Sequence, residues 1–118
     1  MIPTRIELDR AAKKLTVAFD TGEVFEYTCE FLRVHSQSAE VVGHGPEDYV
    51  LQVGKENVGC DALTPVGSYG IKIHFDDGHD TGIYTWERLY ELGRHYGHYW
   101  NEYLKQLKAA GHERKENR

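Results

Sequence analysis

The sequence predicts an α+β fold in which an antiparallel β-meander and a hairpin are partly covered by C-terminal α-helices. Three observations predict it. Apolar residues recur two apart through the first quarter of the chain, the mark of strands with one buried face. Two alternating segments flank Asp76-Asp77-Gly78, a turn signal. Apolar and aromatic residues then fall at Tyr96, Tyr99, Trp100, Tyr103, Leu104 and Leu107, a helical spacing with one apolar face.

The elements follow in order. Thr4 to Asp9 and Lys14 to Phe19 alternate as strands, separated by the polar stretch Asp9-Arg10-Ala11-Ala12-Lys13. Asp20-Thr21-Gly22-Glu23 makes a turn, and Val24 to Tyr27 returns as a third strand, completing a meander over 4–28. From Cys29 to Val42 the pattern offers short helical turns, with Ser36 or Ser38 as an N-cap. Gly43-His44-Gly45-Pro46-Glu47-Asp48 reads as a loop, and short strands are expected near Tyr49 to Val53 and Val58 to Leu63. In the central hairpin, a three-residue turn sets Phe75 opposite His79, Ile73 opposite Thr81 and Ile71 opposite Ile83, with His79 facing inward. The two-residue alternative pairs Lys72 with Ile83, a poorer match of apolar to apolar. Thr85 caps a helix starting at Trp86, with Glu87 in the favourable first turn and Gly93 as its end or a bend. The aromatic stripe of the last helix is expected to cover the sheet. The chain thus reads as a single domain over 1–110 with a flexible polar tail at 111–118.

Composition narrows the function. The 118 residues carry 14 Lys+Arg against 19 Asp+Glu, a formal charge of −5, and the pI is about 5.8. Nucleic acid is not an expected partner, because neutralising phosphates needs a basic stripe and the only basic concentration, Lys105 to Arg118, is diluted by Glu113 and Glu116. A mean hydropathy of −0.62 and the absence of a long apolar run predict no membrane segment, and the cytoplasm is the expected compartment. Two cysteines, Cys29 and Cys60, with no C-x-x-C spacing, read as free thiols.

Seven histidines are the main chemical resource. His95, His98 and Glu102 share a helix face, though no fourth ligand is specified. His79 leaves the Asp-Asp-Gly turn among Asp76, Asp77 and Asp80, which could orient its imidazole. No serine-hydrolase elbow, phosphate loop, dinucleotide fingerprint or H-E-x-x-H is present, so catalysis by this chain alone is not expected.

Several segments carry a family resemblance: Leu32-Arg33-Val34-His35-Ser36-Gln37-Ser38-Ala39-Glu40-Val41, Gly43-His44-Gly45, Pro65-Val66-Gly67-Ser68-Tyr69, and above all Phe75-Asp76-Asp77-Gly78-His79-Asp80-Thr81-Gly82-Ile83-Tyr84-Thr85-Trp86 with Leu89. From about Thr4 to Gly93 the chain resembles the gamma-butyrobetaine hydroxylase-like N-terminal domain family, as a stand-alone bacterial-type member. In the hydroxylases this domain precedes an iron and 2-oxoglutarate catalytic domain and resembles a zinc module. Its ligands are three cysteines in an L-R-x-x-C-x-C-x-x-C run and the D-G-H histidine.

Carried over, those positions fall on Ser36, Ser38, Val41 and His79, so one ligand of four survives. Serine is a poor zinc ligand and valine none, so a zinc site of that composition is not expected. A rearranged site, taking zinc or iron, would use His79 with His35, Cys29 or Cys60; otherwise no cofactor is expected. The chain lacks the hydroxylase catalytic domain, so hydroxylation does not follow from the family name. Because the domain also resembles one fused to P-loop iron–sulfur cluster carriers in plants, the resemblance implies an accessory role in cluster or metal handling. The implied activity is docking to a protein partner through Leu32, Arg33, His35, His44, Asp77, Gly78 and Trp86.

Overall fold

The computed structural model describes residues 1–36 and 51–115. Strands β1 (Pro3–Asp9), β2 (Lys14–Phe19) and β3 (Val24–Thr28) form one antiparallel sheet in that order. Helix α1 (Cys29–Val34) follows directly. Strands β4 (Cys60–Val66), β5 (Gly70–Phe75) and β6 (Ile83–Thr85) form a second. Helices α2 (Trp86–Arg94) and α3 (Tyr96–Ala109) complete the α+β fold. The expected meander is present, and of the two later strands the second begins at Cys60 rather than Val58. Residues 51–53 form no strand.

Alternation decides which face is buried. Leu15, Val17 and Phe19 of β2 point into one core with Ile71, Ile73 and Phe75 of β5, joined by Tyr27, Phe31, Leu32, Leu89 and Leu92. That core draws on both sheets and two helices, so neither sheet needs an independent stabilising unit.

Two turns share one design. In Phe19-Asp20-Thr21-Gly22-Glu23 the Phe19 amide donates to the Glu23 carbonyl (2.9 Å) and the Gly22 amide to the Phe19 carbonyl (3.0 Å). In Phe75-Asp76-Asp77-Gly78-His79 the matching distances are 3.0 and 3.1 Å. Gly22 and Gly78 sit at φ +90° and +89°, the left-handed position such three-residue connections require. The first hairpin keeps its register throughout. The second does not: Phe75 meets His79 at the turn, but the ladder resumes with Lys72 opposite Ile83 and Ile71 opposite Tyr84. The expected pairing of Ile71 with Ile83 is therefore corrected. The physical reason is that the intervening segment leaves the ladder to pack on the end of α1, where Gly82 closely approaches Ser36. Tyr84 is consequently buried, its hydroxyl donating to the Leu32 carbonyl, while Ile83 is 41% exposed.

The helices start as their caps dictate. Thr28 accepts from the Phe31 amide (3.1 Å) and Thr85 from the Arg88 amide (3.1 Å), each satisfying an otherwise orphaned donor. Ser36 is not a cap but follows α1; Ser38 lies outside the described residues. Next to Gly93, α2 ends at Arg94 and the helical path breaks at His95 before α3, so the expected end or bend is present. A Cβ at Gly93 would stand 2.4 Å from the Phe25 ring and 2.8 Å from the Tyr27 hydroxyl, so the glycine permits a close helix–sheet approach. The aromatic stripe of α3 is buried largely against α1 rather than the sheet. Tyr96 stacks on Phe31 at 4.0 Å, and Tyr103 and Leu107 pack with Val34. Gly111 closes α3 in the left-handed conformation, with the His112 amide reaching the Leu107 carbonyl (2.9 Å). Beyond it, 112–115 return along the body through Arg114.

Candidate functional site

The hairpin tip and the end of α1 meet in a polar cluster. Arg33, 7% exposed in the last turn of α1, donates from Nε to Asp77 Oδ2 (2.9 Å). Lys55 donates from Nζ to the same oxygen (2.7 Å), and the His79 amide donates to Oδ1 (3.1 Å). Burial pushes the Asp77 carboxyl up, but the Lys55 ammonium, the His79 amide and the Arg33 guanidinium outweigh it and hold the group down at about 2. Arg33 Nη1 is buried with no hydrogen-bond partner among the described residues.

Beside this ion cluster, His79 is 5% exposed and points inward as expected. Its Nε2 lies 2.9 Å from Ser36 Oγ, and either atom can donate according to the imidazole tautomer. Ser36 and His79 are two of the four positions at which the resemblance places metal ligands, and the fold brings them into contact. Gly82 is part of the arrangement, because a Cβ there would stand 2.3 Å from Ser36 Oγ. Ser38, Val41 and His44 lie outside the described residues.

His35 is instead built into an aromatic box. It closes α1, its Nδ1 is 2.7 Å from the Phe31 carbonyl, and its ring lies 4.3 Å from that of Phe31 with Tyr99 and Tyr103 beyond. Burial pushes its pKa down, favouring the neutral ring. Leu32 is wholly buried in the core, so its side chain packs rather than facing a partner. Trp86 is partly buried and donates from Nε1 to the Ser68 carbonyl (2.8 Å). Gly78 is exposed at the hairpin tip. His95 falls at the break between α2 and α3, outside the helix that carries His98.

A second feature had no signal in the sequence. Cys29, at the start of α1, and Cys60, at the start of β4, bring their sulfurs to 2.6 Å, both thiols buried. The Cys60 thiol donates to Cys29, which pushes the Cys29 pKa down and the Cys60 pKa up. A cleft of about 360 Å³ opens beside Cys29, bounded also by Lys13, Glu30, Glu56, Asn57 and Arg114. Lys13 donates to the Asn57 carbonyl (2.7 Å). Arg114 holds buried Glu30 with two bonds (2.8 and 2.6 Å) and lies over the Trp100 ring. His79, His35 and the cysteine pair thus make three separate sets of contacts. No three His, Cys, Asp or Glu side chains converge as a metal site among the described residues. Nor is any helix among them long and apolar enough to cross a membrane.

Comparison with known proteins bears directly on this geometry. The family described as gamma-butyrobetaine hydroxylase-like, N-terminal, matches residues 6–90. Two similar structures, each described as an NMR solution structure of a protein, are 47% and 46% identical, with TM-scores of 0.83 and 0.81. They cover 99% and 98% of this chain, and 92% and 86% of their own. A crystal structure from Acidithiobacillus ferrooxidans, of a DUF971-family protein of unknown function, is 35% identical with a TM-score of 0.64, over 77% of this chain and 91% of that one. No curated protein matches the chain.

Proposed function

The chain belongs to the gamma-butyrobetaine hydroxylase-like N-terminal family, and on that footing we propose that it is a non-catalytic accessory module that docks onto a protein partner in iron–sulfur cluster or metal handling. The observation that carries this reading is the hairpin tip. Asp77 is gripped by Arg33, Lys55 and the His79 amide, and His79 by Ser36, while Gly78 stays exposed. A tip fixed before binding loses little conformational entropy on binding, which favours recognition. Ser36 and His79 are buried at 1% and 5% exposure, closed to a substrate from the surface, and Ser36 occupies a place where the resemblance puts a metal-ligating thiolate.

The partner class that the resemblance suggests is a P-loop iron–sulfur cluster carrier, and the test is titration of such a carrier into the isotope-labelled chain. Amide shifts confined to residues 75–82 and the end of α1, weakened by Gly78→Trp, are the expected result. Absence of any shift defeats the docking reading. Elemental analysis of untagged protein, purified with and without chelator, tests metal binding anchored on His79. Near-stoichiometric zinc or iron, with a melt lowered by chelation, would replace docking with that reading.

A further inference from the structure

We propose that Cys29 and Cys60 are a peroxide-responsive pair that closes into an intramolecular disulfide joining the two halves of the core. Both thiols are held by regular structure. The Cys29 amide donates to the Lys13 carbonyl (2.9 Å), and Cys60 opens β4 opposite Phe75. Thirty-one residues apart in sequence, the sulfurs stand 2.6 Å apart, so bond formation needs almost no movement of either element. Each sulfur's thiol partner is the other.

Access selects the oxidant. At 0% and 3% exposure the cysteines are closed to a bulky disulfide such as oxidised glutathione. Hydrogen peroxide is small and uncharged, and the cleft of about 360 Å³ reaches Cys29. The cleft is lined by Cys29 and not by Cys60, which makes Cys29 the sulfur that meets peroxide first.

In the first step the Cys29 sulfur bonds to one peroxide oxygen, the O–O bond breaks, and the other oxygen leaves as water after taking the thiol proton. Cys29 is then a sulfenic acid. In the second, the Cys60 sulfur attacks that sulfur, the S–O bond breaks, and the hydroxyl leaves as water with the Cys60 proton. Two thiols have lost two electrons and two protons, and one peroxide has become two waters. A dithiol reductant reverses the change by exchange, leaving as its own cyclic disulfide.

The test uses the full chain, reduced, treated with equimolar hydrogen peroxide, and quenched in acid before unfolding. The expected result is an intact mass lower by two hydrogens, one linked peptide pair holding Cys29 and Cys60, a raised melting temperature, and return of both signals to the starting values with dithiothreitol. Cys60→Ala should stop at a sulfenic acid on Cys29 that dimedone traps, and Cys29→Ala should stay unmodified. Two free thiols after peroxide, a linkage between molecules, or oxygen added without a bridge in the wild type overturns the proposal. The wild-type mass decides even if a variant fails to fold. Docking at the hairpin tip is a separate reading, and its failure leaves this pair untouched.

Discussion

Replacing Asp77 with asparagine keeps the size of the side chain and an acceptor for the His79 amide, but removes the charge that Arg33 and Lys55 share. Two routes give the magnitude. Holding the carboxyl from 3.8 down to about 2 corresponds to about 2 kcal/mol of preference for the charged form in the folded state. The Asp77 side chain keeps 23% of its surface, so solvent screens part of this and leaves about 1–2 kcal/mol. Removing one partner of a fully buried pair costs about 3–5 kcal/mol. Here only the Arg33 side chain, at 8% exposure, is deeply buried, so a loss of about 2 kcal/mol is expected at neutral pH.

The assay is urea unfolding of both proteins at a series of pH values. Because the folded pKa of Asp77 lies below its unfolded value of 3.8, its contribution is fully present above that value and is lost as pH falls through about 2. The gap between wild type and Asp77→Asn should therefore be constant from neutral pH to about 5, then shrink toward zero near 2. A gap independent of pH, or below about 0.5 kcal/mol at neutral pH, would refute the charge lock.

Gly82→Ala forces a Cβ to 2.3 Å from Ser36 Oγ and should lower stability by about 1–3 kcal/mol, with much of the loss recovered when Ser36→Gly is added; thermal melts of the single and double variants check it. Arg114→Ala strands the buried Glu30 carboxylate and should cost about 2–3 kcal/mol, reduced when Glu30→Gln accompanies it, as read by urea unfolding. Thr85→Ala removes the α2 cap and should cost about 1 kcal/mol, with amide exchange quickening in the first turn of that helix.

How much of this was legible depends on how local the determining interaction is. The strand alternation of Leu15, Val17 and Phe19, the caps at Thr28 and Thr85, and the two Phe-Asp-x-Gly turns are set by residues within a few positions of one another. Of the two caps, only Thr85 is named from the sequence; a threonine followed by a helical turn at Thr28 carries the same signal. Gly93 shows the limit. A glycine late in a helical pattern signals the nearby end of the helix, but the close approach it also permits depends on Phe25 and Tyr27 across the fold. Likewise the apolar face of α3 is legible from its spacing, but α1 as its cover is not.

The hairpin register fails for a more instructive reason. Matching apolar residues across the strands assumes that the sheet alone sets the pairing, and the first hairpin, whose turn is alike, obeys that assumption. In the second hairpin a polar contact competes. His79 reaches Ser36, Gly82 is small enough to pass over that serine, and one residue is consequently absorbed before Ile83 rejoins β5 opposite Lys72. The exchange turns Tyr84 inward, where its hydroxyl finds the Leu32 carbonyl, and leaves Ile83 partly in water. A buried tyrosine with a satisfied hydroxyl replaces the isoleucine in the core, so the shift need not sacrifice apolar burial. Residues 36, 79 and 82 therefore act as one unit that sets the register of the strand leading to Thr85 and α2. For that reason Ser36 and His79, two of the four positions that the resemblance assigns to metal ligation, carry a structural load in this chain.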